Sequence, residues 1–558
     1  MPFLRGVKVF VFREFSENMS RPPFCSRYQL LNVGLLLVYG ILLTVGFALH
    51  EMWRDEYEQL LFRRYAGFID RGSPFYILYN FLCWSALQVH DSVFSFKAFH
   101  LLVALLIAWL VLWRSPFKLW QKAAILLSYF LLYEFSVIAR YYGLIVLLVF
   151  ATSASLSSPR RHYFIVVCLM LAIASINPMS ATFTAGFGVY FFARWFCGEL
   201  KFADAVDRRS FVTAACLFTL GAFVIFGFFA AYVISPEGLK PFEAARPPLA
   251  AIVPQIWNAY VPIPDLSRGI NFWWSNVFPL PVVYGQGQQL TLQDMTTATY
   301  LVPAIASAVM LLVIGTTVFR DRPVFIFYTF TTLLQLGLIH FALKVYVIRY
   351  LGLLFITLIA ALWLYEARRR ISPAACSTQV VKAPETGSIL RRAFPPIVAF
   401  ILISQVIAGL WAFALDVARK FSNSEALAAY VEGSGLARTH ALAGYVDAHT
   451  QCIVAENGVE MYFPQIGRNG RFAEQYNPLR RNAVGFDDLL QQVTQLAKTS
   501  DKPVALVLTT PIGGTDGRPL GSTFTRLSDN AQIRLLQAID DPVISRDELY
   551  WVYEITVN

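Results

Sequence analysis

The stretch His50-Glu51-Met52-Trp53-Arg54-Asp55-Glu56-Tyr57 follows directly on the first apolar run and sets adjacent carboxylates and an arginine at a membrane edge. Charge in that place is costly to keep without a use. A partly desolvated Asp or Glu beside a reacting hydroxyl can take its proton in the transition state, which makes Asp55 and Glu56 candidate general bases. The plain reading of such a pair is the polar flank of a span. Its company argues for more: Trp53 and Arg54 come before it, Arg63 and Arg64 after, and Gly72-Ser73-Pro74 then opens an aromatic-rich stretch ending at His90.

A second cluster, Tyr133-Glu134-Phe135-Ser136-Val137-Ile138-Ala139-Arg140-Tyr141-Tyr142, lies between the third and fourth apolar runs. At helical spacing Tyr133 and Arg140 share one face, and Glu134 and Tyr141 another. Glu134 stands inside an apolar run, so it is the costlier charge and the better candidate for a polar pocket. The competing reading pairs Glu134 with a neighbouring helix and sends Arg140 to the headgroups. A third cluster, Lys344-Val345-Tyr346-Val347-Ile348-Arg349-Tyr350, puts two cations in a short loop between the ninth and tenth runs. They point to a specific anion, and an arginine fork suits a phosphate, with lipid headgroups as the competing anion.

Such clusters need a scaffold to bring them together, and the composition supplies a membrane one. The 558 residues are 56% hydrophobic and 15% charged, with a mean hydropathy of +0.52, which marks a polytopic α-helical membrane protein. The net charge of +10 divides unevenly. Residues 1–414 carry 33 Lys/Arg against 19 Asp/Glu, and residues 415–558 carry 13 against 17. The basic excess therefore belongs to the membrane part, where orientation accounts for it without a nucleic-acid partner. The seven cysteines form no C-x-x-C pair and no metal-ligand spacing, so neither a disulfide framework nor a thiol nucleophile is expected. About thirty residues precede the first apolar run and no A-x-A-like site follows it, which reads as an uncleaved first span.

Apolar runs fall near 31–49, 95–113, 123–139, 142–157, 163–177, 181–196, 211–234, 301–319, 323–342, 350–366 and 394–414, predicting about 11 transmembrane helices. The shorter stretch 74–90 reads as an interfacial helix. With the N-terminus inside, the cytoplasmic segments hold 22 Lys/Arg against 11 in the opposite loops. The expected order is a cytoplasmic segment 1–30, a transmembrane module 31–414 with outer loops 50–94 and 235–300, and a periplasmic domain 415–558. Loop 235–300, rich in Pro and Trp, suits the membrane interface. The tail opens with a capping-box signal, Ser422 with Glu425. Strands expected at 451–455, 503–510 and 549–556, with a helix at 486–499, make it a small α/β domain.

Taken together, Trp53-Arg54-Asp55-Glu56, Glu134-Phe135-Ser136-Val137-Ile138-Ala139-Arg140-Tyr141-Tyr142-Gly143 and Arg349-Tyr350-Leu351-Gly352 resemble the GT-C class of membrane glycosyltransferases. That class includes the protein O-mannosyltransferases and the lipid A aminoarabinose transferase. The chain is most similar to bacterial members with a His-Glu-Met-Trp-Arg-Asp-Glu signature. The resemblance implies transfer of a sugar from a polyprenyl-phosphate-linked donor to an envelope lipid, polysaccharide or protein on the outer face of the inner membrane, with inversion. It implies Asp55 as the base and Glu56 as its partner, holding the acceptor or taking over as base. Arg349, Lys344, Arg140 and Tyr346 would sit at the donor phosphate and lipid. Glu134, Tyr141, Trp53, Arg54 and His50 would line the sugar and acceptor pocket.

A nucleotide-sugar route has no support, since no G-x-G-x-x-G follows a strand. No clear D-x-D motif is present. His50 and Glu51 with Asp55 and Glu56 are the residues from which a divalent-ion site could be drawn. His340 reads as a satisfied helix histidine. Two rivals come from other classes: a transporter or flippase of lipid-linked sugar without transfer chemistry, and an envelope sensor with 415–558 as its receptor domain.

Overall fold

The computed structural model describes residues 27–66, 76–158, 163–199, 205–234, 252–262, 298–318, 321–343, 348–371, 386–474, 477, 479–481, 483–513, 523–528, 531–545 and 547–557. Helices dominate up to Ala418, and a mixed sheet follows. Six helices are long and apolar enough to cross a membrane: Tyr28–Leu49, Val93–Arg114, Asp207–Ile225, Arg322–Ala342, Ile348–Arg370 and Phe394–Ala418. Shorter apolar helices lie at Ile77–Val89, Tyr142–Leu156 and Tyr163–Ala174, while the apolar stretch Ala304–Gly315 is part of the longer helix Ala298–Val318. At 1.5 Å per residue, twelve residues cover only about 18 Å of a hydrocarbon layer roughly 30 Å thick. Six crossings are what length and composition carry among the described residues.

Burial grades these helices from rim to centre. The first turns Leu30, Leu37 and Ile41 outward and buries Tyr39 and Leu43. Ile348–Arg370 is wrapped on all sides, with 89% of its apolar window buried, which is why it is apolar all round. Arg349 sits at the N-terminal end of this central helix.

The run expected as one helix over 123–139 breaks. Leu119–Leu126 ends at Leu127, and Ser128 starts a π-helical segment, Tyr129–Val137, by accepting the Leu131 N–H at 3.3 Å. The chain leaves helical geometry at Ile138 and resumes it at Tyr142, so Tyr133 and Arg140 do not share a continuous helical face. A wide i→i+5 bond, Ile138 N–H to the Tyr133 carbonyl at 3.3 Å, closes the segment. Two glycines of the sequence motifs permit this fold-back. A Cβ on Gly143 would lie 2.6 Å from the Phe135 carbonyl oxygen, and one on Gly352 within 2.8 Å of the Phe135 ring.

Within the span 235–300, read as an interfacial loop, the described helix Ile252–Tyr260 packs into the bundle instead. Ala259 and Tyr260 are fully buried, Tyr260 shares a 2.8 Å hydrogen bond with the Tyr328 hydroxyl, and Gln405 Nε2 donates to the Ala259 carbonyl at 3.1 Å. Its apolar aromatics find protein partners, which satisfies them as well as an interface would.

The tail forms one seven-stranded sheet from β1 (Ala441–Tyr445), β2 (Met461–Phe463), β3 (Arg468–Gly470), β4 (Val504–Leu508), β5 (Thr525–Ser528), β6 (Ala531–Ile539) and β7 (Tyr550–Val557). The order is β3-β2-β1-β4-β7-β6-β5. β1 runs parallel to β2 and β4, with Ala443 opposite Leu506; the other pairings are antiparallel. β4 is buried at every residue, as its unbroken Val-Ala-Leu-Val-Leu run suggests. The helix Phe486–Ser500 lays Leu489, Val493 and Ala497 against the sheet. The strand expected at 451–455 is a helix, Gln451–Asn457, because a short buried apolar run reads equally well either way. Asn423 rather than Ser422 stands at the N-cap of Ser424–Gly433, and the Ser422 hydroxyl accepts the Ser424 N–H at 2.9 Å.

Candidate active site

The signature segment leaves the first membrane helix at Leu49 and starts a short helix, Arg54–Leu61. Neighbouring residues on a helix point about 100° apart, so Asp55 and Glu56 face different surroundings. Asp55 faces the bundle. Its Oδ2 lies 2.8 Å from Arg140 Nη1 and 3.4 Å from Arg349 Nη1, and its Oδ1 lies 3.5 Å from Arg54 Nε. Burial would raise its carboxyl, but Arg140, Arg349 and Arg54 outweigh that and hold it below the ordinary aspartate range. The fold thus joins the three sequence clusters at one carboxylate. The Nε atoms of Arg140 and Arg349 are buried without a hydrogen-bond partner among the described residues.

Glu56 is sealed in. It is 0% exposed; Oε1 accepts the Ala139 N–H at 2.6 Å, and Oε2 takes His50 Nε2 at 2.9 Å and the Trp53 N–H at 3.3 Å. The role expected of it, holding the acceptor or replacing the base, does not fit a carboxylate with both oxygens spent inside the protein. Burial works against charge on His50, yet the carboxylates of Asp416 (Nδ1 to Oδ2, 2.8 Å) and Glu56 prevail and lift the imidazole to about 10. His50 therefore locks the first helix to the last rather than lining a pocket. Lys97 Nζ caps the first helix by donating to the His50 carbonyl at 2.8 Å.

Glu134 accepts the Tyr129 hydroxyl at 2.9 Å and makes no ion pair with Arg140 or Arg349, although it lies close enough for Arg349 to feel its charge. Arg140 lies over the Tyr141 and Tyr142 rings at 5.8 and 5.6 Å, and the Tyr141 hydroxyl donates to that of Tyr142 at 3.0 Å. Glu134, Arg140, Tyr141 and Tyr142 thus lie in one buried neighbourhood with Arg349 and Asp55. Lys344 and Tyr346 fall outside the described residues.

Two further expectations change. Arg54 and Trp53 turn toward the tail, not into a sugar pocket. Arg54 Nη1 pairs with Asp547 at 2.5 Å and contacts His449 Nε2, while Trp53 stands edge-on to Phe421 at 6.0 Å. The reason is that the tail docks on this short helix: Tyr57 donates to Glu456 at 2.9 Å and Arg64 to the Ala455 carbonyl at 2.9 Å. Nor do His50, Glu51, Asp55 and Glu56 converge on a metal position. His50 spends both ring nitrogens on carboxylates, Glu51 faces Lys420 at 3.7 Å, and among the described residues no three His, Cys, Asp or Glu side chains are placed to hold a metal ion.

Asp416, Glu58, His449, Asp547 and Glu548 enter the neighbourhood unannounced by the sequence reading. Asp416 gave the same signal as Asp55, a carboxylate at the end of an apolar run. Glu58 lies one helical turn from Asp55, on the same face; burial first, then the Asp55 charge, pushes its carboxyl up to about 8. The tail residues gave none, since long-range docking leaves no local pattern. No protein-family model matches the chain, and no curated protein matches it either.

Proposed function

We propose that the protein is a glycosyltransferase of the GT-C kind, moving a sugar from a polyprenyl-phosphate-linked donor to an acceptor hydroxyl on the outer face of the membrane, with inversion. The observation that carries this reading is the meeting of Asp55 with Arg140 and Arg349, supplied by three distant segments. Two cations on one carboxylate leave room for a second anion. A phosphodiester seated on the arginines would place its anomeric carbon beside Asp55. The acceptor oxygen attacks that carbon, its proton passes to Asp55, and the carbon–oxygen bond to phosphate breaks with its electron pair moving to the phosphate. Arg140 and Arg349 stabilise that growing charge more in the transition state than in the ground state.

The same pairs explain the resting state. With both arginines on it, Asp55 is ionised but weakly basic; a phosphate drawing them away raises its basicity when the donor is in place. Tyr141, Tyr142 and Glu134 would shape the sugar pocket. On this reading the count of 22 Lys/Arg against 11 sets the N-terminus inside, with about eleven crossings and the tail in the periplasm. The decisive experiment is Asp55→Asn with a polyprenyl-phosphate sugar as donor. Transfer is lost while donor binding is kept or tightened, because a competing charge is gone. A carrier without transfer chemistry would still move the lipid, and that outcome would reject the proposal.

A further inference from the structure

We infer that Glu548 of the tail is a positioning residue for Asp55, capping from 494 residues away the helix that carries it. This rests on the reading of Asp55 as the base.

An α-helix leaves its first N–H groups without internal partners, and eight residues are too few to hold a helix in water unaided. The residue ahead of Arg54–Leu61 is Trp53, which has no hydroxyl or carboxylate with which to cap. Two acidic side chains do the work, one from within the helix and one from the tail. Glu56 Oε2 reaches back to the Trp53 N–H at 3.3 Å, and Glu548 Oε1 accepts the Arg54 N–H at 2.7 Å. A carboxyl oxygen here also lies favourably at the positive end of the helix dipole.

Glu548 is itself fixed. It is 0% exposed, and its N–H donates to the Ser545 carbonyl at 3.0 Å. The Ser545 and Ile544 N–H groups bond to the carbonyls of Phe421 and Lys420 at 2.8 and 3.1 Å, just beyond the last membrane helix. Asp547 and His449 hold the Arg54 side chain. Both the backbone and the side chain of the residue before Asp55 are thus set by the tail, while Glu56 ties the next residue to the bundle through Ala139. Asp55 stands in a turn gripped from both sides, by the tail and by the bundle. A misplacement of about 1 Å at a reacting group can cost 10²-fold in rate, so the cap bears on turnover without touching substrate.

The test uses the full chain in nanodiscs. Donors are mixed polyprenyl-phosphate hexoses and pentoses, and the acceptor is washed envelope from a strain lacking the protein. Glu548→Ala should lower kcat by about 10- to 100-fold with the donor KM unchanged, and Glu548→Gln, which keeps the accepting oxygen, should restore at least about half of the rate. Hydrogen exchange over residues 53–61 should rise in Glu548→Ala and not in Glu548→Gln. Unchanged exchange in Glu548→Ala overturns the inference whatever the reaction is, because that measurement needs no turnover. An altered donor KM at constant kcat, or equal losses in both variants, also overturns it. Active Asp55→Asn with raised exchange in Glu548→Ala would instead break the functional reading and leave the cap standing.

Discussion

One helix, Ile348–Ile371, carries an arginine cluster at each end, and the two are built differently. Nineteen residues separate Arg349 from Arg368, roughly 28 Å along the axis and close to the depth of a hydrocarbon layer. At the far end Arg368 pairs with Glu199 at 2.8 Å and with Asp321, and Arg194 approaches Glu199 at 3.7 Å. Arg369 pairs with Glu366 at 3.5 Å and Arg370 donates to the Pro116 carbonyl, so each arginine at this end has a protein acceptor. At the near end Arg140 and Arg349 share the single carboxylate of Asp55. Charge at a membrane edge is therefore not by itself a sign of chemistry; on the proposed function, what sets the near end apart is two arginines drawn to one acid.

Matched substitutions test that contrast. Asp55→Asn should cut transfer by about 10³-fold or more, whereas Asp321→Asn should leave transfer intact and cost about 1–3 kcal/mol of stability. Comparable activity losses in initial-rate assays would erase the distinction between the two ends. The next effect is about form rather than charge. Arg349→Ala should weaken donor use by about 10²-fold and Arg349→Lys by clearly less, since lysine keeps the charge but loses the fork. Arg368→Lys should not change donor use. Equal effects of the two Arg349 variants on donor titration would count against direct phosphate contact.

The smallest effect concerns the lock behind the site. His50 has its pKa raised from 6.5 to about 10, so its contribution to stability is complete below pH 6.5 and is lost as pH rises toward 10. Glu56 is shifted the other way: burial opposes its charge but His50 prevails, and its contribution fails in acid. Thermal unfolding followed from pH 6 to 10 should show a falling melting temperature that flattens in His50→Gln. A wild-type profile as flat as that of the variant would mean that the Asp416–His50–Glu56 chain is not the lock proposed.

Much of the architecture was legible in sequence. Long apolar runs such as 31–49 and 394–414 can only be satisfied as helices when no water is present to take their backbone groups, and Val504–Leu508 declared itself a buried strand. The break at Ile138 was not legible. No proline or glycine precedes it, and what draws the chain out of helix there is the bond from Ala139 to a glutamate 83 residues away. Gln451–Asn457 was misread for a related reason, since four buried apolar residues fit helix and strand alike.

The sequence alone determined that this chain is a helical membrane protein with a C-terminal α/β part and three charged clusters at the ends of its apolar runs, because composition and periodicity are local properties. Residue type and position did not separate Asp55 from Glu56, two adjacent acids of the same charge; only the family resemblance ranked Asp55 first. That choice belongs to the tertiary structure: a 100° step on one short helix gives Asp55 to Arg140 and Arg349 and gives Glu56 to His50 and Ala139. Every one of those partners except His50 comes from a segment at least 80 residues distant, and only packing could bring them together.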